Sequence, residues 1–172
     1  MSVVTRSLPS PIGDVLLVGD GRRLIGLYTA GHVRRPAAGG AGPALGSDGL
    51  DQAARELAEW FDGRRRRFGL SVELAGTPFQ RRVWDELLAV PFGETITYGE
   101  LARRVGRPGS ARAVGHAVGR NPVSIVVPCH RVVGARGVLT GYAGGLDTKR
   151  WLLDHERAAA DQPNWSGVAR RL

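Results

Sequence analysis

The residues best equipped for chemistry stand together at Pro128-Cys129-His130-Arg131-Val132, and they include the only cysteine of a 172-residue chain. A free thiol, with a pKa of about 8.5, is only a few per cent thiolate at neutral pH. A base or a cation beside it raises that fraction, and Cys129 has an imidazole and a guanidinium as its next two neighbours. A single cysteine is more commonly a small buried hydrophobe, but Cys-His-Arg is too polar for a plain core turn. Neighbouring side chains of an extended chain point to opposite sides. His130 is therefore expected to reach the sulfur through a bridging water or a local bend. A nucleophile and its base also need a third group that orients the base. The last helical stretch, about Leu146 to Arg157, offers Asp154 and Glu156, and spacing does not choose between them. Between that helix and the cysteine lies Gly141-Tyr142-Ala143-Gly144-Gly145, a glycine-rich loop able to close over a flat ligand.

The elements that must position these groups follow from local signals. Val123 to Val127 is an apolar run that reads as a buried extended segment, stiffened at its end by Pro128. Upstream, Thr77-Pro78-Phe79-Gln80 is a capping box with proline at the first helical position, predicting a helix to about Val90. Thr97-Tyr98-Gly99-Glu100 is a second box, opening a helix to about Val105. Ser110 is expected to cap a third helix that runs to Arg120 and ends at Asn121-Pro122. Two short helices across a tight turn suggest a helix-turn-helix. The third helix carries Arg112, His116 and Arg120 on one face, among Ala111, Ala113, Gly115, Ala117 and Gly119. So few polar side chains suit poor base reading, and so many small ones suit close, sequence-independent approach, as in a minor groove.

Residues 1–75 read differently. Val3–Leu8, Asp14–Val18 and Arg23–Tyr28 predict three short strands, the last two joined at Asp20-Gly21. Residues 31–49 form a Gly/Ala/Pro-rich loop, and Gln52–Phe61 a helix stopped by Gly63. Arg64–Arg67 is a basic run expected at a solvated turn, and Phe68–Leu74 a further strand. The expected fold class is α+β. A small antiparallel sheet with a helix (1–75) precedes a mostly helical domain (76–157) that contains the helix-turn-helix and the Pro128–Val132 segment, and a tail (158–172) follows.

Charge supports a polyanionic partner. The chain carries +8, and the excess is uneven. Residues 1–75 hold 10 basic and 8 acidic side chains, residues 76–172 hold 14 and 8. The alternative reading is a GC-rich genome that favours Arg codons, since Lys149 is the only lysine. No apolar run spans a bilayer, the N-terminus lacks a signal-peptide pattern, and one cysteine builds no intrachain disulfide. A cytoplasmic location is expected.

Taken in order, these motifs resemble the methylated-DNA–protein-cysteine methyltransferases. The resemblance rests on the 77–80 box, Pro91-Phe92-Gly93-Glu94-Thr95, Thr97 to Ala102, Ala111 to Gly115, Asn121-Pro122, the Pro128–Val132 segment and the 141–145 loop. It covers roughly residues 77–157. It implies transfer of an O6-alkyl group from guanine, and of the O4-alkyl group of thymine, to Cys129, once and irreversibly, after the base is flipped from the duplex. It further implies that His130 is a water-mediated base, that Glu156 rather than Asp154 orients it, that Tyr98 stands near the damaged base, and that Asn121 is a hinge. Val118 and Tyr142 would wall the base pocket and Lys149 would sit beside it. The Ala143 amide and the Cys129 and Val132 carbonyls would bond the base. Arg112 would fill the gap in the stack, with Ser110, Ala111, Gly115, His116 and Arg120 on the same DNA-facing helix. The implied partner is double-stranded DNA carrying the lesion, met by a monomer that can assemble cooperatively along it; no membrane and no cofactor are implied. Some relatives hold zinc in the N-terminal domain, but here His32 stands alone and no metal is expected.

Overall fold

The computed structural model describes residues 3–37 and 48–162. The expected 31–49 loop is therefore described only at its two ends, and residues 38–47 and 163–172 lie outside the described residues.

Strands β1 (Val4–Leu8), β2 (Val15–Gly19) and β3 (Leu24–Tyr28) form an antiparallel sheet in that order. Its turns use Gly13 and Gly21 at positive φ, a conformation that costs glycine little. Helix α1 (Asp48–Phe61) packs Leu50, Ala53 and Leu57 against the sheet, and Gly63, at φ 74°, follows its end. A helical region follows: α2 (Pro78–Leu88), α3 (Tyr98–Arg104), α4 (Ala111–Val118) and α5 (Leu146–Ala160). Two-residue strands β4 (Ile96–Thr97) and β5 (Val132–Val133) pair in parallel and hold the start of α3 against the cysteine segment. One apolar cluster runs through both regions, from Leu17, Leu24 and Leu27 through Trp60 to Trp84, Val114 and Leu152.

The Thr77 box closes in both directions, Gln80 N–H to Thr77 Oγ1 and Thr77 N–H to Gln80 Oε1. At α3 the expected box closes in one direction only: the Thr97 hydroxyl accepts the Glu100 N–H, while the Glu100 carboxylate accepts from Arg104 instead of the Thr97 N–H. Four expectations are corrected. Ser110 makes no side-chain cap; glycines at positive φ, Gly106 and Gly109, turn the chain into α4 instead, and that helix ends at Val118, short of Arg120. Residues 68–74 form no strand beyond a single bridge, Leu24 with Val72. The arginines at 64–67 are not merely solvated. Arg65 pairs with Glu59 and Glu56, and Arg66 donates to the Ala159 and Gln162 carbonyls at the end of α5, where an added cation meets unpaired acceptors.

The fourth correction concerns residues 123–127, which are buried but not extended. Val126 N–H donates to Ser124 O and Val127 N–H to Val123 O. Ile125 sits at φ 70°, a strained state for a β-branched residue. Asn121 clips the segment shut: its side chain donates to Val127 O at 2.8 Å and accepts from Val123 N–H at 2.9 Å. Near-complete burial of Ile125 supplies the packing that holds this turn.

Candidate active site

That compact turn delivers Cys129 into a 3₁₀ turn, Cys129–Arg131, where the Val132 N–H donates to the Cys129 carbonyl. The three side chains part company there. Cys129 is 5% exposed and borders a cavity of about 410 Å³. Tyr98, Val118, Asn121, Tyr142 and Ala143 line the same cavity. His130 is fully buried, with Nε2 at 2.9 Å from Glu156 Oε1. Arg131 grips both oxygens of that carboxylate, Nη2 to Oε1 at 2.7 Å and Nε to Oε2 at 2.9 Å, while Nη1 donates to Val90 O. The Gly93 N–H adds a further donor to Glu156. Asp154, the alternative carboxylate, is exposed and pairs with Arg157.

The charges sort themselves accordingly. Burial alone would raise the Glu156 carboxyl, but His130 and then Arg131 outweigh it and hold the group at about 2. Burial lowers His130 below its ordinary value, so near pH 7 the imidazole is neutral and holds Glu156 by its hydrogen bond, with Arg131 as the charged partner beside it. A neutral ring against a carboxylate keeps its proton on Nε2. The Nδ1 lone pair is then left as an acceptor, and that atom is buried without a protein partner.

Cys129 departs from expectation. Its thiol is raised, not lowered, because burial outweighs the help it receives. Arg131 is engaged by Glu156, so the thiolate is favoured instead by Asn121, by the charge of Lys149, and by the Tyr142 and Ser124 hydroxyls. Those two hydroxyls lie near the sulfur without a hydrogen bond of good geometry. Ser124 went unremarked in the sequence, although it is the one polar residue of the Val123–Val127 run. Lys149 is fully buried, donating from Nζ to the Thr140 and Gly141 carbonyls 5.8 Å from the Tyr98 ring centroid; burial brings it down to about 8. Lys149 and Val132 lie just outside the cavity lining, Val132 being buried in β5 beside Ile96.

Helix α4 forms one rim. Gly115, His116, Gly119 and Arg120 border the cysteine cavity, while Ser110, Arg112 and Ala113 face an open depression shared with Thr77, Phe79 and Gln80 of α2. Arg112, His116 and Arg120 are exposed and Ala111 is partly so. Trp84 Nε1 of α2 donates to Ala117 O, which fixes the helix from behind. His32, Val33 and Arg34 border the same cavity, which nothing in the sequence placed there. A larger cavity, about 1170 Å³ between residues 66–74 and 88–92, includes neither Cys129 nor His130. Among the described residues no group of three or more His, Cys, Asp or Glu could hold a metal ion, and no helix is long and apolar enough to cross a membrane.

Residues 78–158 match the family model described as 6-O-methylguanine DNA methyltransferase, DNA binding domain. The methylated-DNA–protein-cysteine methyltransferase of Mycobacterium leprae is 47% identical over 88% of this chain and 91% of its own. The Mycobacterium tuberculosis protein of the same name is 45% identical over 90% and 93%. A crystal structure of M. tuberculosis OGT in complex with DNA superposes with a TM-score of 0.80 at 42% identity, covering 90% of this chain and 93% of that one. A structure of an O6-methylguanine DNA methyltransferase from Methanococcus jannaschii gives 0.67 at 27% identity, covering 95% and 99%.

Proposed function

The chain belongs to the methylated-DNA–protein-cysteine methyltransferases, DNA-binding repair proteins, and on that premise we propose that Cys129 takes the O6-alkyl group of guanine, irreversibly and once per molecule. The observation that carries this reading is the cysteine at the wall of a cavity rimmed by α4, with a neutral His130 held by Glu156 behind it. The sulfur attacks the alkyl carbon, an S–C bond forms, and the C–O6 bond breaks with its electron pair going to the oxygen. The thiol proton passes to His130 Nδ1 through water, the route that a buried, unpartnered acceptor suits. In net terms the alkyl group on guanine is replaced by that proton. The Ala143 amide and the Tyr98 hydroxyl serve the leaving oxygen. The Cys129 and Val132 carbonyls accept the exocyclic amine, and Val118 and Tyr142 flank the ring. The raised thiol pKa fits a protein that holds its nucleophile neutral until the lesion is seated. The damaged base supplies the alkyl group, so no cofactor is required, and the thioether product has no easy return.

The base has to leave the duplex to reach this cavity, at a cost of a few kcal/mol. The small residues of α4 allow close approach in the minor groove, Arg112 fills the vacated stack, and Asn121 is the hinge between α4 and the cysteine segment. O4-alkylthymine fits the same chemistry. Residues 76–157 carry DNA binding and acceptance, and residues 1–75 support them, in a cytoplasmic protein that acts as a monomer and can assemble along DNA. Titration with excess O6-methylguanine duplex tests the single turnover: repair should stop at one guanine restored per protein. Continued repair beyond one equivalent would show a thiol hydrolase and overturn the proposal.

A further inference from the structure

The N-terminal sheet ends at Tyr28, and the turn that follows reaches the cysteine cavity. Thr29 and His32 are buried, whereas Val33 is 80% exposed. The turn is rigid. His32 N–H donates to Thr29 O, Arg34 N–H to His32 Nδ1, and Arg35 N–H to His32 O. The Arg35 guanidinium ties it to the sheet through the Asp14 and Tyr28 carbonyls, and the His32 ring stands edge-on to Tyr28 at 5.1 Å. Burial lowers His32, in keeping with a neutral ring whose Nδ1 accepts.

This turn is fastened to the glycine-rich loop. Val33 N–H donates to the Ala143 carbonyl at 2.9 Å. A Cβ on Gly144 would lie 2.3 Å from Thr29 Oγ1, closer than any real side chain stands. The residue proposed to present its amide to the leaving oxygen is thus held, through its own carbonyl, by the N-terminal region. The other cavity walls, α4 and the segment from Asn121 to Cys129, are backed by the apolar core. The rim at His32, Val33 and Arg34 is backed by this turn. Val33 is a large exposed apolar side chain at the edge of a mostly apolar cavity, where a ligand's apolar part would cover it.

We propose that the Thr29–Arg35 turn is a wall of the substrate pocket and that Val33 sets the preference for larger O6-alkyl groups over methyl. The proposal rests on the alkyl-acceptor reading of Cys129. A methyl group ends near the sulfur, whereas a benzyl group fills more of the cavity that Val33 borders. Val33 then contributes apolar contact that only the larger group uses, and the Val33–Ala143 bond keeps wall and loop in register.

The test compares rates of transfer to Cys129 in the full-length protein, from free O6-benzylguanine and from an O6-methylguanine duplex. For Val33→Ala the benzyl-to-methyl rate ratio should fall about five-fold, the size of losing part of one aliphatic contact. Val33→Leu, which keeps an apolar wall and the same N–H, should retain the ratio. An unchanged ratio in Val33→Ala, whether both rates fall together or neither does, overturns the wall. Wild-type protein that accepts neither group would instead overturn the reading of Cys129, and this inference with it.

Discussion

Glu156 receives two nitrogens of Arg131, one of His130 and a backbone N–H, so one carboxylate neutralises a cation and fixes an imidazole at the same time. Breaking a buried pair by removing one partner leaves the other charge unmatched, which typically costs about 3 kcal/mol or more. Glu156→Gln should lower stability by that order at pH 7 and slow alkyl transfer, since His130 loses its anchor. The pH dependence has a definite sign. The folded-state carboxyl lies at about 2 against an ordinary 4.5. Its contribution is therefore fully present above about 4.5 and is lost as the pH falls toward 2. Urea unfolding of both proteins across that range should show the wild type converging on the variant in acid; a constant gap, or no gap at pH 7, would count against the shared carboxylate. At this scale Cys129 and His130 stand out in the sequence as a pair because they are adjacent. The Arg131 grip does not, because its partner stands 25 residues away, and the sequence suggested a cation acting on the thiol.

The helices were legible where their signals are local. Thr77 and Gln80 form their box within four residues, and Thr97 caps α3 as its spacing predicts. The turn at 123–127 was not, because an apolar run looks the same whether extended or folded. What folds it is the Asn121 clip and a buried Ile125 at φ 70°. The alternation in 68–74 likewise read as a strand, yet it meets only Leu24 of β3. Helix α4 makes its own prediction. Arg112 is exposed beside an open depression, away from the cysteine cavity lining, and the proposed plug role would matter only in duplex DNA. Arg112→Ala should slow repair of a duplex lesion at least about ten-fold more than repair of the same lesion in single-stranded DNA, where no stack needs filling. Equal losses on both substrates would contradict the plug role.

Across the whole molecule, one apolar cluster joins the sheet to the helical region, and the basic excess lies in the half that carries α4. Fold class was legible from periodicity and caps. The part the N-terminal region plays at the pocket was not, since contact between Val33 and Ala143 spans 110 positions of sequence. All of this converges on one thiol. The most direct measurement is to incubate the protein with an equimolar O6-methylguanine duplex, digest it, and weigh the peptide that contains Cys129. One methylene should be gained on the Cys129 sulfur, with guanine restored in the DNA, and Cys129→Ala should bind the duplex yet gain nothing. Guanine restored without that mass, or methyl found in the Cys129→Ala protein, would contradict the assignment of Cys129 as the acceptor.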